Sequence, residues 1–488
     1  MSQTSRGSAF IEMFKGTAVY GLALILQRVG SMILLPVTTR YLEPSDIGIL
    51  DLIEQTGIIV SVLMGLNYSS ALGYFYFEQK DDAGREKVAG TILSGSFIIG
   101  SLATFATAMC APYISRLIVG NGSLTPYLIF GAFYFPLGAL LDALLAWLRI
   151  INRPLDYFWA SMVRLVLTIS ATAVMLAILK YRIWGVMFSN AGVTLLVGIG
   201  LLLYFLRESK LHFDRALFGQ MLRYALPISA SWFALFIIHY GDRFLLPRFR
   251  GLNELGLYSI AYKIGMLISI IQASFQQYWS AQVYSLMQRD DAKQLFSRTL
   301  TYLITGMCFG SLAIIVCSEP ALRILTRQEY WAAAAVVPIL VAAYAIRAVG
   351  DYYRTLFYAL KRTGAEAVCN WMGAIVCTAG YLWLIPLYGM WGAAFATLGA
   401  FVTTTIIGII WTQRLWSFPI EFARLAKALG VFALLLSVYF TLQYQRVTAQ
   451  VEIAVALTLA YPLLLLIWRF ASPAEWDFAM RQLRRFQR

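Results

Sequence analysis

Six cations and five acids interrupt stretches of this chain that are otherwise apolar enough to cross a membrane. They are Arg28, Arg164, Arg243, Lys263, Arg347 and Arg354, with Asp51, Glu54, Asp142, Asp242 and Asp351. A charge at the centre of a membrane helix costs roughly 2.5–3.5 kcal/mol on insertion scales, so such groups face a bundle interior or a water-filled cavity. Guanidinium and ammonium groups there suit an anion. Arginine in particular forks onto phosphate oxygens through parallel, charge-assisted hydrogen bonds. A phosphate or diphosphate is therefore the anion this set would hold. Carboxylates in the same place carry protons or sodium ions, or simply neutralise the cations.

Arg28 is the most informative of these, because it lies near the middle of its apolar stretch, beside Gln27 and far from either interface. It either faces substrate or pairs with Asp51 or Glu54 on the next helix. Those two acids, three residues apart, share a helical face; they could equally share a proton or hold sodium. His239, Asp242 and Arg243 share a face by the same spacing, close to the outer interface, where a gate or salt bridge competes with binding. Lys263 lies about a third of the way into its span. Arg164 belongs with the substrate-facing cations, although two turns from the inner surface it could also snorkel. Arg347, Asp351 and Arg354 form one stripe and read as an intrahelical Arg–Asp–Arg ladder. With three acids facing three cations over the first, second, seventh and eighth spans, the cavity is not strongly positive.

The elements that must position these groups follow from composition. Of 488 residues, 60% are hydrophobic and 13% charged, and the mean hydropathy is +0.69; soluble domains carry about 25% charged residues. The chain is expected to be an all-α polytopic membrane protein with about fourteen transmembrane helices. Spans are expected near 15–38, 47–75, 88–110, 124–147, 157–180, 183–206, 221–246, 254–280, 297–317, 331–358, 367–386, 388–412, 424–443 and 450–470. The first is read as a span and not a signal peptide, since Arg28 interrupts it and no cleavage pattern follows.

The sequence also repeats itself. Gln79-Lys80-Asp81-Asp82-Ala83 returns as Gln288-Arg289-Asp290-Asp291-Ala292, and Asp142 with Arg153 as Asp351 with Arg362. Trp184-Gly185 returns as Trp391-Gly392, and Leu34-Leu35-Pro36 as Leu245-Leu246-Pro247, all 207 to 211 positions apart. Duplicated halves mark secondary transporters, whose sites lie between the halves near the midplane. Six spans per half return the chain to its starting side, so the halves are expected to be pseudo-twofold lobes about the membrane normal. Residues 1–206 form the N-terminal six-helix lobe and 207–416 the C-terminal one. Residues 417–488 add a transmembrane helix pair and a basic cytoplasmic tail.

The net charge of +14 does not signal nucleic acid. Most Lys and Arg fall in loops on one side, as Arg207, Lys210, Arg215 and Arg223 do, which is the positive-inside bias with both termini cytoplasmic. No GxxxxGK[ST] occurs, loops are too short for a catalytic domain, and no enzyme is expected. Five cysteines without a CxxC, and two histidines, support neither a metal site nor a disulfide framework. No cofactor is expected, with coupling to H+ or Na+ left open. The run Gln272, Phe275, Gln276, Gln277, Tyr278, Trp279 reads as an interfacial aromatic belt.

Leu34-Leu35-Pro36 through Arg40-Tyr41-Leu42, then Pro44-Ser45-Asp46-Ile47-Gly48-Ile49-Leu50, resembles the first loop of bacterial polysaccharide flippases of the multidrug/oligosaccharidyl-lipid/polysaccharide exporter superfamily. Pro386-Leu387-Tyr388-Gly389-Met390-Trp391-Gly392 resembles that family's turn between the eleventh and twelfth helices. The resemblance implies a central cavity lined by the first, second, seventh and eighth helices, in the bacterial cytoplasmic membrane. It implies a polyprenyl-diphosphate glycan, usually on undecaprenol, flipped from inner to outer leaflet by alternating access for O-antigen, capsule or exopolysaccharide synthesis. Membrane lipids and other polysaccharide-assembly proteins are the implied partners. The diphosphate contact carries over to Arg28, and more weakly to Arg243 and Lys263; the last helix pair would guide the polyprenyl tail. A multidrug or organic-cation antiporter of the same superfamily is the rival reading.

Overall fold

A computed structural model describes residues 19, 21–23, 26–27, 30, 32–63, 68–445 and 450–470. These are helical nearly throughout, and no strand occurs among them. Residues 32–41 are helical, followed by α1 (Pro44–Leu63), α2 (Tyr68–Glu78), α3 (Asp82–Val119), α4 (Thr125–Ile150), α5 (Pro154–Ala177) and α6 (Arg182–Glu208). Next come α7 (Arg215–Tyr240), α8 (Asp242–Arg250), α9 (Leu252–Gly265), α10 (Ile268–Leu286) and α11 (Ala292–Leu325). After a 3₁₀ segment (Gln328–Ala335) follow α12 (Val337–Ala359), α13 (Thr363–Tyr388), α14 (Met390–Leu415), α15 (Phe422–Tyr444) and α16 (Gln450–Ile467).

Among the described residues, nine helices are long and apolar enough to span a membrane, or up to twelve if each of three bent pairs is one span. Fourteen were expected. The two others, near 15–38 and 47–75, carry the intramembrane charges Arg28, Asp51 and Glu54 and run partly over residues outside the description. One bend separates α9 from α10 by 43°. It falls after Gly265, where an added Cβ would lie 2.8 Å from Leu340 Cβ of α12.

Contacts group the described residues up to Ser259, with Leu325–Tyr330 and Tyr381–Met390, into one compact unit. Ile260–Ile324, Trp331–Gly380 and the described residues from Trp391 onward form a second. This is a different partition from the repeat boundary at 206/207: α7, α8 and the first part of α9 pack with the first half.

In the first unit, α3 opens on Asp81, whose carboxylate accepts from Gly84 N at 3.3 Å, and closes on Gly120 at φ 82°, left-handed backbone that glycine adopts without penalty. Its 38 residues rise about 57 Å, more than the bilayer core requires, and it packs against α4 along its length. Leu141, Leu144 and Leu148 of α4 join Ile92, Leu72 and Phe205 in the core, with Trp147 edge-on to Phe205 at 4.9 Å.

The segment between α6 and α7 lies directly on Gly90 of α3, where a Cβ would meet His212 N at 2.6 Å and Lys210 O at 2.9 Å. Asp214 then caps α7, accepting from Ala216 N (2.8 Å) and Leu217 N (3.0 Å), while Lys87 Nζ reaches it at 2.6 Å. The Lys87 hydrogen bond and these N–H donors hold the Asp214 carboxyl below the ordinary carboxylate value. Because the folded value is depressed, the contribution to stability is present at neutral pH and is lost as pH falls through that value, below about 3.9. Asp214→Asn keeps a capping oxygen but loses the ion pair. It is expected to melt slightly below wild type at pH 7, with the difference shrinking as pH falls below about 3.9 through the depressed value; equal melting at pH 7 would show the pair idle.

The second unit is built around an aromatic stack: Trp279 on Tyr352 at 4.6 Å, with Phe296 and Phe418 closing around them. Trp279 is fully buried and Gln272 nearly so, which corrects the belt expectation. Residues 272, 276 and 279 share one helical face, and that face is turned into the unit, while Tyr278 on another face remains exposed.

α15 and α16 dock on α11 at Glu319 and are tied to one another at the middle and the far end. Glu319 pairs with Arg323 (2.5 Å) and accepts from Gln443 (2.5 Å) and Gln450 (3.4 Å). Tyr461 Oη donates to Ala428 O at 3.3 Å, and Lys427 Nζ to Trp468 O at 3.0 Å. Arg424 Nε donates to Phe470 O at 3.1 Å. Hydrogen bonds to a charged group are worth about 1.5–3 kcal/mol, so Glu319→Ala is expected to lower the unfolding temperature in detergent. It should also speed proteolysis between α15 and α16, and Glu319→Gln should do so less. Unchanged proteolysis would show that apolar packing alone holds the pair.

Candidate functional site

The charges predicted from sequence fall into two buried clusters, one in each unit. In the first unit α8 begins at Asp242, directly after Gly241, and places Asp242 and Arg243 against α1 and α9. Arg243 Nε lies 2.9 Å from Asp51 Oδ2, and Nη1 lies 2.8 Å from Asp242 Oδ1 and 3.0 Å from His239 O. Ser259 Oγ donates to Asp51 Oδ2 (2.6 Å), Gln55 Nε2 to Asp51 Oδ1 (3.1 Å) and Tyr258 Oη to Asp242 Oδ2 (2.6 Å). The guanidinium also stands 5.1 Å from the Tyr240 ring centroid. Asp242 is 0%, Arg243 2% and Asp51 8% exposed.

Two carboxylates thus share one guanidinium in a dry setting. A second unneutralised charge there costs several kcal/mol. Arg243 is enclosed by these partners. The acid expected to pair with Arg28 or hold an ion, Asp51, pairs with Arg243. Arg28 itself lies outside the described residues, and Glu54 sits on α1 one turn from Asp51, exposed.

In the second unit the ladder on α12 is formed: Asp351 lies 3.5 Å from Arg347 Nε and bonds Arg354, and Gln272 of α10 donates to it. Arg354 continues to Glu366 of α13 at 3.3 Å. Sequence reasoning missed Glu366 because it lies just outside its expected span. It also missed Ser259, Tyr258 and Gln55, whose one signal was polarity inside apolar stretches. Charges alternate along Arg347–Asp351–Arg354–Glu366 and balance, as a ladder that holds α12 to α13 and α10 would.

The remaining predicted residues are more open. Lys263 is exposed in the last turn of α9, beside the break, where a helix C-terminus favours a cation. Arg164 is half-buried on α5 and forms no ion pair among the described residues. Its charge and that of Arg149 act on Asp142 of α4, which is exposed although its neighbours Leu141 and 143–148 are buried. Asp142 and Asp351 are repeat counterparts, but the positions matching Arg347 and Arg354 are Gly138 and Leu145. The same acid pairs directly with two arginines in one half, and in the other is acted on by Arg164 and Arg149 without an ion pair among the described residues. Among the described residues no cluster of His, Cys, Asp and Glu could hold a metal ion.

The arrangement is that of a transporter interior: paired charges buried in broken membrane helices, with single cations left open. A family model described as "Polysaccharide biosynthesis protein" matches residues 13–278, more than half of the chain. The chain belongs to that family. A relative is the succinoglycan biosynthesis transport protein ExoT of Rhizobium meliloti (strain 1021). It is 24% identical over 390 residues, 77% of this chain and 75% of the relative. Among solved structures, the lipid II flippase MurJ in an inward closed conformation superposes with a TM-score of 0.74 at 14% identity, covering 93% of this chain and 99% of that one. An inward-facing multidrug resistance MATE family transporter superposes at 0.64 and 14% identity, covering 80% and 94%. At such identities the likeness concerns fold alone. This family member is a multi-pass membrane protein with a transporter fold, and its relatives are transporters and flippases, not enzymes.

Proposed function

We propose that this chain flips a polyprenyl-diphosphate-linked oligosaccharide from the inner to the outer leaflet of the bacterial cytoplasmic membrane by alternating access, with both termini cytoplasmic. The observation that carries this reading is the family match on a chain whose apolar spans contain Arg28, Arg164 and Lys263. Arg28, Lys263 and Arg164 are the contacts we assign to the diphosphate; Arg243, being enclosed by Asp51 and Asp242, acts instead through the charge it balances. Coupling to a proton fits the two carboxylates around Arg243, which gain or lose one charge without leaving their partners. α15 and α16, with exposed Leu429, Leu434, Leu459 and Leu463, offer the tail an apolar surface.

The two acids at that cluster also favour a second reading, a proton-coupled organic-cation antiporter. Binding separates the two. Purified protein in detergent, heated with undecaprenyl diphosphate carrying a short oligosaccharide, should unfold at higher temperature, since a ligand bound to the folded state alone stabilises it. A quaternary ammonium dye should leave it unmoved. Stabilisation by the dye alone would move the protein to the antiporter class.

A further inference from the structure

In the second unit, α11 meets the appended pair α15 and α16 around a small recess that none of the charge clusters above uses. Val316 and Glu319 of α11, Tyr439 and Gln443 of α15, and Gln450 and Ile453 of α16 line it. It holds about 20 Å³, room for one water-sized group. Glu319 lies within two turns of the end of α11, Gln443 beside the end of α15, and Gln450 at the start of α16. Three helix ends meet there, so the recess sits at the level of lipid head groups rather than of acyl chains.

The hydrogen bonds decide what the recess can hold. Glu319 Oε1 accepts from Arg323 Nη2 (2.5 Å) and Nε (3.1 Å) and from Gln450 Nε2 (3.4 Å), while Oε2 accepts from Gln443 Nε2 alone (2.5 Å). Both carboxamides therefore turn their N–H groups to the carboxylate. Their carbonyl oxygens, and the Tyr439 hydroxyl, have no hydrogen-bond partner among the described residues. With the second lone pair of Glu319 Oε2, the open atoms are chiefly acceptors. A ligand must bring donors to them. Arg323, one turn further along α11, lies over the Trp331 ring at 5.0 Å with 45% of its side chain exposed, and its Nη1 takes no part in these bonds. A negative group inside and a positive group at the rim form a fixed dipole, which a zwitterion laid antiparallel to it would complement at both ends.

The geometry points to this recess as a binding site for the head group of an aminophospholipid, phosphatidylethanolamine. Its ammonium brings three N–H donors to Glu319 Oε2 and the Gln443 and Gln450 carbonyl oxygens, and its phosphate meets Arg323. An acyl chain then follows Leu442, Val438 and Leu434, which recur every fourth residue on one face of α15; Val438 is 38% and Leu434 49% exposed. A choline head group offers no N–H and its methyl groups overfill the recess. A glycerol head group brings no cation to Glu319. Bound there, the lipid joins α11 to α15 and α16 where their own polar contacts are concentrated. The site is independent of what the protein transports.

The test uses full-length protein purified in detergent and titrated with phosphatidylethanolamine, phosphatidylcholine or phosphatidylglycerol of identical acyl chains. Native mass spectrometry counts bound lipid, and the unfolding temperature is followed in parallel. Phosphatidylethanolamine should bind about tenfold or more tightly than either other lipid and alone raise the unfolding temperature. Glu319→Gln and Arg323→Gln should each weaken its binding about tenfold, and Glu319→Gln should leave phosphatidylglycerol binding unchanged. Each variant is compared with its own lipid-free sample, so that any loosening of α15 and α16 cancels. If Glu319→Gln cannot be extracted folded, Arg323→Gln, at a half-exposed side chain, carries the comparison. Equal binding of the three lipids, or a preference for phosphatidylethanolamine that survives substitution, overturns the site.

Discussion

Arg243→Met is expected to destabilise the protein by about 3–5 kcal/mol, the cost of breaking a buried ion pair and leaving charge uncompensated. Here the cost falls at the upper end, because two carboxylates, Asp51 and Asp242, lose their shared cation at once. Ser259, Gln55 and Tyr258 would still donate to them, but none carries charge. The variant should insert poorly or aggregate on extraction. Adding Asp51→Asn and Asp242→Asn should restore much of the lost stability, since an uncharged set of similar shape is often as stable as a buried pair. Detergent-exchange size-exclusion profiles and unfolding temperatures report both outcomes. If the triple variant folds yet transports independently of pH, the carboxylates are the proton carriers. If Arg243→Met alone folds as well as wild type, the cluster is hydrated and its burial has been misjudged.

Arg28→Ala is expected to abolish flipping while leaving the protein inserted and folded. Arg28→Lys should retain part of it, because the charge remains but the planar fork that grips two phosphate oxygens is lost. Removing a charge-assisted, forked contact to a diphosphate should weaken binding by about 1.5–3 kcal/mol, or roughly ten- to a hundredfold. Initial rates in vesicles over a range of lipid-linked glycan concentrations measure this. Normal transport by Arg28→Ala would remove the main diphosphate contact. Loss of both variants from the membrane would instead make Arg28 a structural cation.

The helical class and the membrane setting were legible because hydropathy is a local, additive property of sequence. The ladder of Arg347, Asp351 and Arg354 was legible for the same reason, since helical spacing alone brings those residues together. Asp51 with Arg243 was not. These residues are separated by 192 positions, and a chain with many intramembrane charges offers many pairings that only tertiary packing decides. Glu366 was missed because a span boundary was drawn one residue too late. Gln272 and Trp279 were misplaced because an aromatic run at a helix end has the same composition whether it faces headgroups or a core. Only the face, read at every third or fourth residue, distinguishes the two.

The most direct test of the account is leaflet crossing in reconstituted vesicles. A fluorescent undecaprenyl-diphosphate oligosaccharide is placed in one leaflet, and its arrival in the other is followed by an impermeant quencher, with and without an imposed proton or sodium gradient. Protein-dependent crossing that is lost in Arg28→Ala is the predicted result, with a proton gradient accelerating it. No crossing above empty vesicles for any of several glycans, from folded protein that drives organic-cation efflux, would contradict the account.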